Sequence, residues 1–339
     1  MTLTNTQRGP VGRRRFLKIC AAGAAGAFLP ASALGAKTIL HRWSGVALGA
    51  PAEINLLDVE DTKAKELFRK VEAEIRRLEQ IFSLYLKDSE LARLNRTGRL
   101  RAPSLELIEL LGTVHRIHTA TEGAFDPTIQ TLWSLYATAA TTGQPPSSRA
   151  RASALRRTGF GKVLFDPSEV RYEQPGMAMT LNGIAQGYIT DRVAALLTAR
   201  GYRNVVVDLG EVSANGNGPE ETLQDGAGWP VTLRPDPAHP SVQVKIRLMD
   251  TAAASSARAG TTFDSGGTLS HILDPRTGQP VEADLTAASV IAPTAALADG
   301  LSTAALVTGK SSLGAALSQM PATKAFVVHE NGTTAWMAS

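Results

Sequence analysis

The chain has 339 residues, 43% hydrophobic and 19% charged, enough to bury a large core as one large domain or two smaller ones. Its formal charge is +4, yet residues 1–36 hold five basic residues and no acid. The 30 basic and 31 acidic residues that follow leave the remainder near neutral, which excludes the electrostatic footprint of a nucleic-acid binder.

Taken in chain order, residues 1–36 read as an export leader. Arg14-Arg15-Phe16-Leu17-Lys18 resembles a twin-arginine motif, a weakly apolar Ala/Gly stretch follows, and Ala31-Ser32-Ala33 offers a small-residue cleavage site. The expected mature chain starts near Leu34 or Lys37 and resides in the periplasm. Cys20, the only cysteine, lies inside this leader. The rest of the chain is therefore without disulfides, thiol nucleophiles or thiolate metal ligands. No later segment is apolar enough to span a membrane, and no repeat of 20–50 residues is present.

Residues 52–59 alternate as a strand. Residues 61–85 place Leu67, Val71, Ile75, Leu78 and Ile81/Phe82 at helical spacing. A second helix is predicted over 104–123, capped by Ser104 and ended by Gly123. Residues 141–151 read as a loop. A helix over 184–200 precedes a strand at 204–210 and the turn Asn215-Gly216-Asn217-Gly218. Strands are expected near 230–234 and 242–249, and 268–281 reads as strand–turn–strand around Pro275-Arg276-Thr277-Gly278. A small-residue helix over 294–309 and a hairpin turned at Asn331-Gly332 complete the chain. Without strict βαβ alternation, the fold class is α+β with mainly antiparallel sheets.

Several motifs carry little chemistry. Gly309-Lys310-Ser311-Ser312 lacks the earlier glycine of a phosphate loop, since Ala304 stands there. His115 and His118 are three apart on a helix but have no third ligand nearby, so they read as a solvated face. Four segments are richer. Residues 122–128 put Asp126 just past a helix end, fixed by Pro127. Residues 181–187 open a helix with two glycines and no Ser or Asp cap, where Gly187 costs about 1 kcal/mol against alanine. His271 is expected in a strand, with Asp274 in the turn that follows. Asp299, Ser302 and Thr303, at i, i+3 and i+4, share one face of an otherwise apolar helix, an all-oxygen set suited to Mg²⁺.

These segments, in this order from about Trp43 to the C-terminus, resemble the ApbE-type FAD:protein FMN transferases. The resemblance implies one catalytic domain over 37–339. It implies FAD as donor, bound across the start of the 184–200 helix, and Mg²⁺ held by the Gly183 carbonyl, Asp299 and Thr303 with Ser302 nearby. In that reading Gly187 lets backbone and FAD approach closely. The resemblance further implies that a Ser or Thr hydroxyl of a flavin-accepting, membrane-bound redox protein attacks the FMN-side phosphorus and AMP leaves. His271 is the candidate general base, with Asp126 next. Leu48, Tyr85, Ala124, Phe125, Asp126, Thr180, Gln186, His271 and Ile272 match FAD-contacting positions. An FAD pyrophosphatase and a non-catalytic periplasmic FAD-binding protein are the alternatives.

The chain departs from the family's usual Asp-Leu-Gly-Gly-Ile-Ala-Lys-Gly at three places. Thr180 replaces the acid, Asn182 a glycine and Gln186 the lysine. Ser255-Ser256-Ala257 stands for the usual Thr-Ser-Gly. With its twin-arginine leader, the chain looks most like the accessory flavin transferases of nitrous-oxide respiration.

Overall fold

The computed structural model describes residues 17–19, 40–260, 262–263, 270–282 and 284–338. Apart from Leu17–Ile19, the expected leader and its cleavage site lie outside the described residues. Eight strands form one antiparallel sheet: β1 (Leu40–Ala47), β2 (Ala50–Leu57), β3 (Val205–Asp208), β4 (Val212–Asn215), β5 (Thr251–Ala257), β6 (Leu285–Ala292), β7 (Lys324–His329) and β8 (Thr334–Ala338). Spatial order follows chain order from β1 to β8, so each strand pairs with its predecessor in sequence. The α+β expectation holds, and the Asn331-Gly332 turn joins β7 to β8.

Strand alternation builds two layers on this sheet. Val205 and Val207 of β3 point into the same core as Ile54 and Leu56 of β2, under helices α1 (Asp61–Phe82), α6 (Ala185–Thr198) and α7 (Ala295–Ser318). Val206 points the other way, onto Trp229, Val231 and Leu248 of a three-stranded sheet formed by Trp229–Leu233, Val244–Leu248 and Leu17–Ile19. Helix α1 forms as its pattern requires, with Leu67, Val71, Ile75 and Leu78 all buried. Burying one such side chain contributes about 2 kcal/mol.

Helix α7 crosses the middle of the sheet because its residues are small. Ala298, Ala304 and Ala305 are fully buried against β5 and β6, where Ala254, Ala288 and Ala292 share the same core. The first helical run of α7 ends at Gly309, as expected, and a second run follows it to Ser318. Gly309 makes the break with φ 69° and ψ −179°.

Helices α2 (Glu90–Thr97), α3 (Leu105–Ala120), α4 (Gln130–Thr142) and α5 (Ser148–Arg156) flank this core. The Ser104 hydroxyl accepts the Leu107 N–H at 3.3 Å, the cap the sequence announces for α3. The loop expected over 141–151 is shorter than that. Helix α4 reaches Thr142, and Ser147 caps α5 by accepting the Ala150 N–H at 3.2 Å. No helix among the described residues is long and apolar enough to cross a membrane.

Candidate active site

The N-terminus of α6 has no side-chain cap, as its sequence implies: Ile184 stands at the cap position without a capping bond. Gly183, just before it, faces α7. A β-carbon on Gly183 would lie 3.1 Å from Thr303 Oγ1 and 3.5 Å from the Phe125 ring. One turn further on, the Gly187 N–H donates to Asp299 Oδ2 at 3.3 Å across 112 residues of sequence. Asp299 is 4% exposed and Ser302 fully buried. Asp299 and Thr303 of α7 therefore meet the start of α6 and its lead-in, on the face that the i, i+4 spacing predicts.

Gly187 does something other than expected. A β-carbon there would sit 2.3 Å from the Ala295 carbonyl oxygen and 2.7 Å from the Ala296 nitrogen. The close approach is helix backbone on helix backbone, not helix on FAD. The carboxylate of Asp191, one turn later, accepts the N–H groups of Ala295 at 2.7 Å and Ala296 at 2.9 Å. Desolvation between the helices pushes this carboxyl up to about 6, although the two N–H groups pull it back.

Ser256 on β5 completes the oxygen cluster. Its hydroxyl lies 2.8 Å from Ser302 Oγ and 3.2 Å from Thr303 Oγ1. Sequence reading noted Ser255-Ser256-Ala257 only as a departure; the β5 alternation, with Ala254 facing the helix core, was the signal that Ser256 faces the same way. The hydroxyls of Ser256, Ser302 and Thr303 and the buried Asp299 carboxylate form a hard-oxygen donor set, and this set fits Mg²⁺ better than a softer ion. Among the described residues no group of three His, Cys, Asp or Glu could hold a metal, so an ion here would need hydroxyl or carbonyl oxygens beside the Asp299 carboxylate.

The segment 122–128 joins the site through Thr180, whose N–H donates to the Pro127 carbonyl at 2.8 Å. The Thr180 hydroxyl accepts the Asn182 N–H at 3.2 Å, shaping the approach to Gly183. Phe125 is buried beside Gly183, and Ala124 packs with Ile272, Val281 and Val307. Asp126 is heavily bonded. It accepts Thr128 N–H at 2.8 Å, Thr128 Oγ1–H at 2.5 Å and Phe160 N–H at 2.8 Å. These bonds make it a brace between the 122–128 segment and Phe160. His118 is not on a solvated face, contrary to expectation. It is half-buried, and its Nδ1 lies 2.9 Å from the Phe125 carbonyl, while His115 is exposed.

His271 is not in a strand. It lies in a bend just before the short strand Leu273–Asp274, which pairs with Gln279–Pro280. Ser270 anchors that bend by donating its hydroxyl to the Arg258 carbonyl at 3.2 Å, just past the end of β5. Asp274 ends the strand rather than sitting in the turn. Burial pushes its carboxyl up, but the Arg276 guanidinium and N–H outweigh this and hold it below the usual range. Arg276 also donates to the Val307 carbonyl at 3.4 Å, so the hairpin is tied to α7 one turn past Thr303.

Two further positions lie at the C-terminal end of α1. The Leu48 N–H, in the β1–β2 turn at φ 46°, donates to Glu79 Oε1 at 2.8 Å. Tyr85 is 82% exposed, an aromatic face open to a ring partner. Phe82 meets Tyr188 of α6 edge-on at 5.4 Å, linking this end to the α6 helix. Gln186 departs from expectation. It is 3% exposed, and its Nε2 donates to the Leu209 carbonyl at 2.6 Å. A side chain folded under the β3–β4 turn ties α6 to the sheet and does not reach outward to a phosphate.

The fold matches known proteins. A flavin transferase ApbE from Vibrio cholerae superposes with a TM-score of 0.75 at 24% identity, covering 89% of this chain and 97% of that one. The Pseudomonas stutzeri flavinyl transferase ApbE, apo form, gives 0.75 at 26% identity, covering 89% and 96%. An FAD:protein FMN transferase of Klebsiella pneumoniae (strain 342) is 29% identical over 300 residues, 85% of this chain and 83% of that protein. One of Treponema pallidum (strain Nichols) is 30% identical over 269 residues, 74% of this chain and 73% of that protein. Residues 48–327 match the ApbE family, and the chain belongs to it.

Proposed function

We propose that this protein is an FAD:protein FMN transferase, the activity its relatives are named for, acting on a Ser or Thr hydroxyl of a flavin-accepting redox protein. The observation that carries the reading is the convergence of Gly183, Ser256, Asp299, Ser302 and Thr303 at the α6–α7 crossing. In the reaction the acceptor oxygen forms a new P–O bond to the FMN-side phosphorus of FAD. The pyrophosphate P–O–P bond breaks, and AMP leaves with its electron pair; the hydroxyl proton goes to His271.

The residues that would hold Mg²⁺ are the Gly183 carbonyl, Asp299 and Thr303, with Ser302 beside them. When bound, the ion supplies charge neutralisation at the pyrophosphate. The uncapped N–H groups at the start of α6 favour the donor's phosphates. Ala124, Phe125 and Ile272 give an apolar wall, and Tyr85 and Leu48 an outer edge, for FAD. Asp126 and Thr180 hold that wall in place. The basic leader with Arg14-Arg15 supports a periplasmic setting.

The test is Asp299→Ala. Transfer should be abolished with the circular dichroism spectrum unchanged, and wild-type transfer should vanish with EDTA and return with Mg²⁺. Full activity in chelated wild-type protein would overturn the metal assignment.

A further inference from the structure

The donor set proposed for Mg²⁺ is split between two helices. Gly183 precedes α6, whereas Asp299, Ser302 and Thr303 ride on α7. No ligand geometry survives unless the crossing of these helices is fixed. Two contacts fix it. The Gly187 backbone lies against Ala295 with no room for a β-carbon, and its N–H reaches Asp299. One turn along, Asp191 receives both Ala295 N–H and Ala296 N–H on its two oxygens.

The first turn of α7 does not depend on Asp191 for capping alone. Thr294 is its N-cap and accepts the Leu297 N–H at 3.3 Å. Thr294 belongs to α7's own entry, so its bond fixes the helix end without referring it to α6. Asp191 reaches across from α6, so its bonds fix α7 relative to Gly183. The two residues cap the same helix and differ in what they tie it to.

From this geometry we infer that Asp191 is a positioning residue for the metal site: its carboxylate sets the α6–α7 crossing and thereby the spacing of Gly183 from Asp299 and Thr303. Its carboxylate bonds to the Ala295 and Ala296 N–H groups, not to Gly183, Asp299 or Thr303. The inference rests on the metal reading given under Proposed function. Groups that orient metal ligands from behind alter affinity by about 10- to 100-fold when removed, and Asp191 acts in that manner through a helix rather than through a single side chain.

The experiment compares Asp191→Asn with Thr294→Ala, each as the full chain, stripped of metal and titrated with Mg²⁺ by calorimetry. Thermal melts record the stability lost by each. Asp191→Asn is expected to weaken Mg²⁺ binding about 10-fold, with transfer at saturating FAD restored by raising Mg²⁺. Thr294→Ala should lose stability while keeping wild-type Mg²⁺ affinity. Asp191→Asn with unchanged Mg²⁺ affinity overturns the inference, as does an equal weakening in both variants, which would trace the effect to stability alone. Wild-type protein that binds no Mg²⁺ overturns the metal reading together with this inference, an outcome distinct from failure of Asp191 by itself.

Discussion

Gly183 and Thr303 are in contact through an absence: a β-carbon on Gly183 would stand 3.1 Å from Thr303 Oγ1. That distance is tighter than ordinary packing, so alanine there displaces the hydroxyl by a few tenths of an ångström. The Gly183 carbonyl and the Thr303 hydroxyl are both proposed ligands, and a shift of one against the other should weaken the ion. Gly183→Ala is expected to fold normally and to need at least about 10-fold more Mg²⁺ for half-maximal transfer. A Mg²⁺ titration of the rate reads this directly; an unchanged midpoint would remove Gly183 from the ligand set.

Gly187→Ala should behave differently, because the obstacle is backbone. The added carbon meets the Ala295 carbonyl at 2.3 Å, and neither helix can turn a rotamer to avoid it. The expected cost is about 3 kcal/mol of unfolding free energy, the upper range for overpacking. Urea denaturation measures it. A loss under about 0.5 kcal/mol, the level of an ordinary surface change, would show that α6 and α7 move apart freely.

Asp191 gives a pH signature. Its carboxyl titrates near 6 in the folded chain, above the ordinary value of 3.8. The folded state thus holds the proton more tightly than the unfolded one. The resulting stabilisation is full below about pH 4 and is lost as pH rises through 6. The stability difference between wild type and Asp191→Asn should therefore shift in favour of wild type by about 2 kcal/mol between pH 7 and pH 4. Denaturant melts across that range check it, and a flat difference would contradict the shifted carboxyl.

His271 separates proton transfer from packing. As the base, His271→Ala should lower the transfer rate by about 10²- to 10⁴-fold at saturating FAD. The wild-type rate should fall as acid protonates the imidazole, with that limb missing in the variant. FAD affinity should change little, because the lost interaction is made mainly in the transition state. Full recovery of the rate at high FAD would make His271 a packing residue.

Much of this was legible in the sequence because it is local. The stripe of α1, the Ser104 cap, the Asn331-Gly332 turn and the face shared by Asp299, Ser302 and Thr303 are all decided within a few residues. Helix α5 was hidden because Pro145-Pro146-Ser147-Ser148 reads as loop, although Ser147 is a helix cap. The packing of Gly187 and Gln186 was hidden for a different reason. Their partners, Ala295 and Leu209, are brought close only by the tertiary fold. Periodicity says that a glycine needs a close neighbour; it does not say which neighbour. Ser256 shows the same limit, since its meeting with Ser302 depends on how α7 lies across β5.

The most direct test of the account follows FAD to its products. Purified protein with FAD, Mg²⁺ and membranes rich in candidate redox proteins should release AMP and, mole for mole, leave FMN covalently bound to a Ser or Thr, detected by mass spectrometry of the acceptor and lost in Asp299→Ala. AMP with only free FMN would mean that water is the acceptor, and FAD retained unchanged would mean a flavin carrier; either result contradicts the transferase reading.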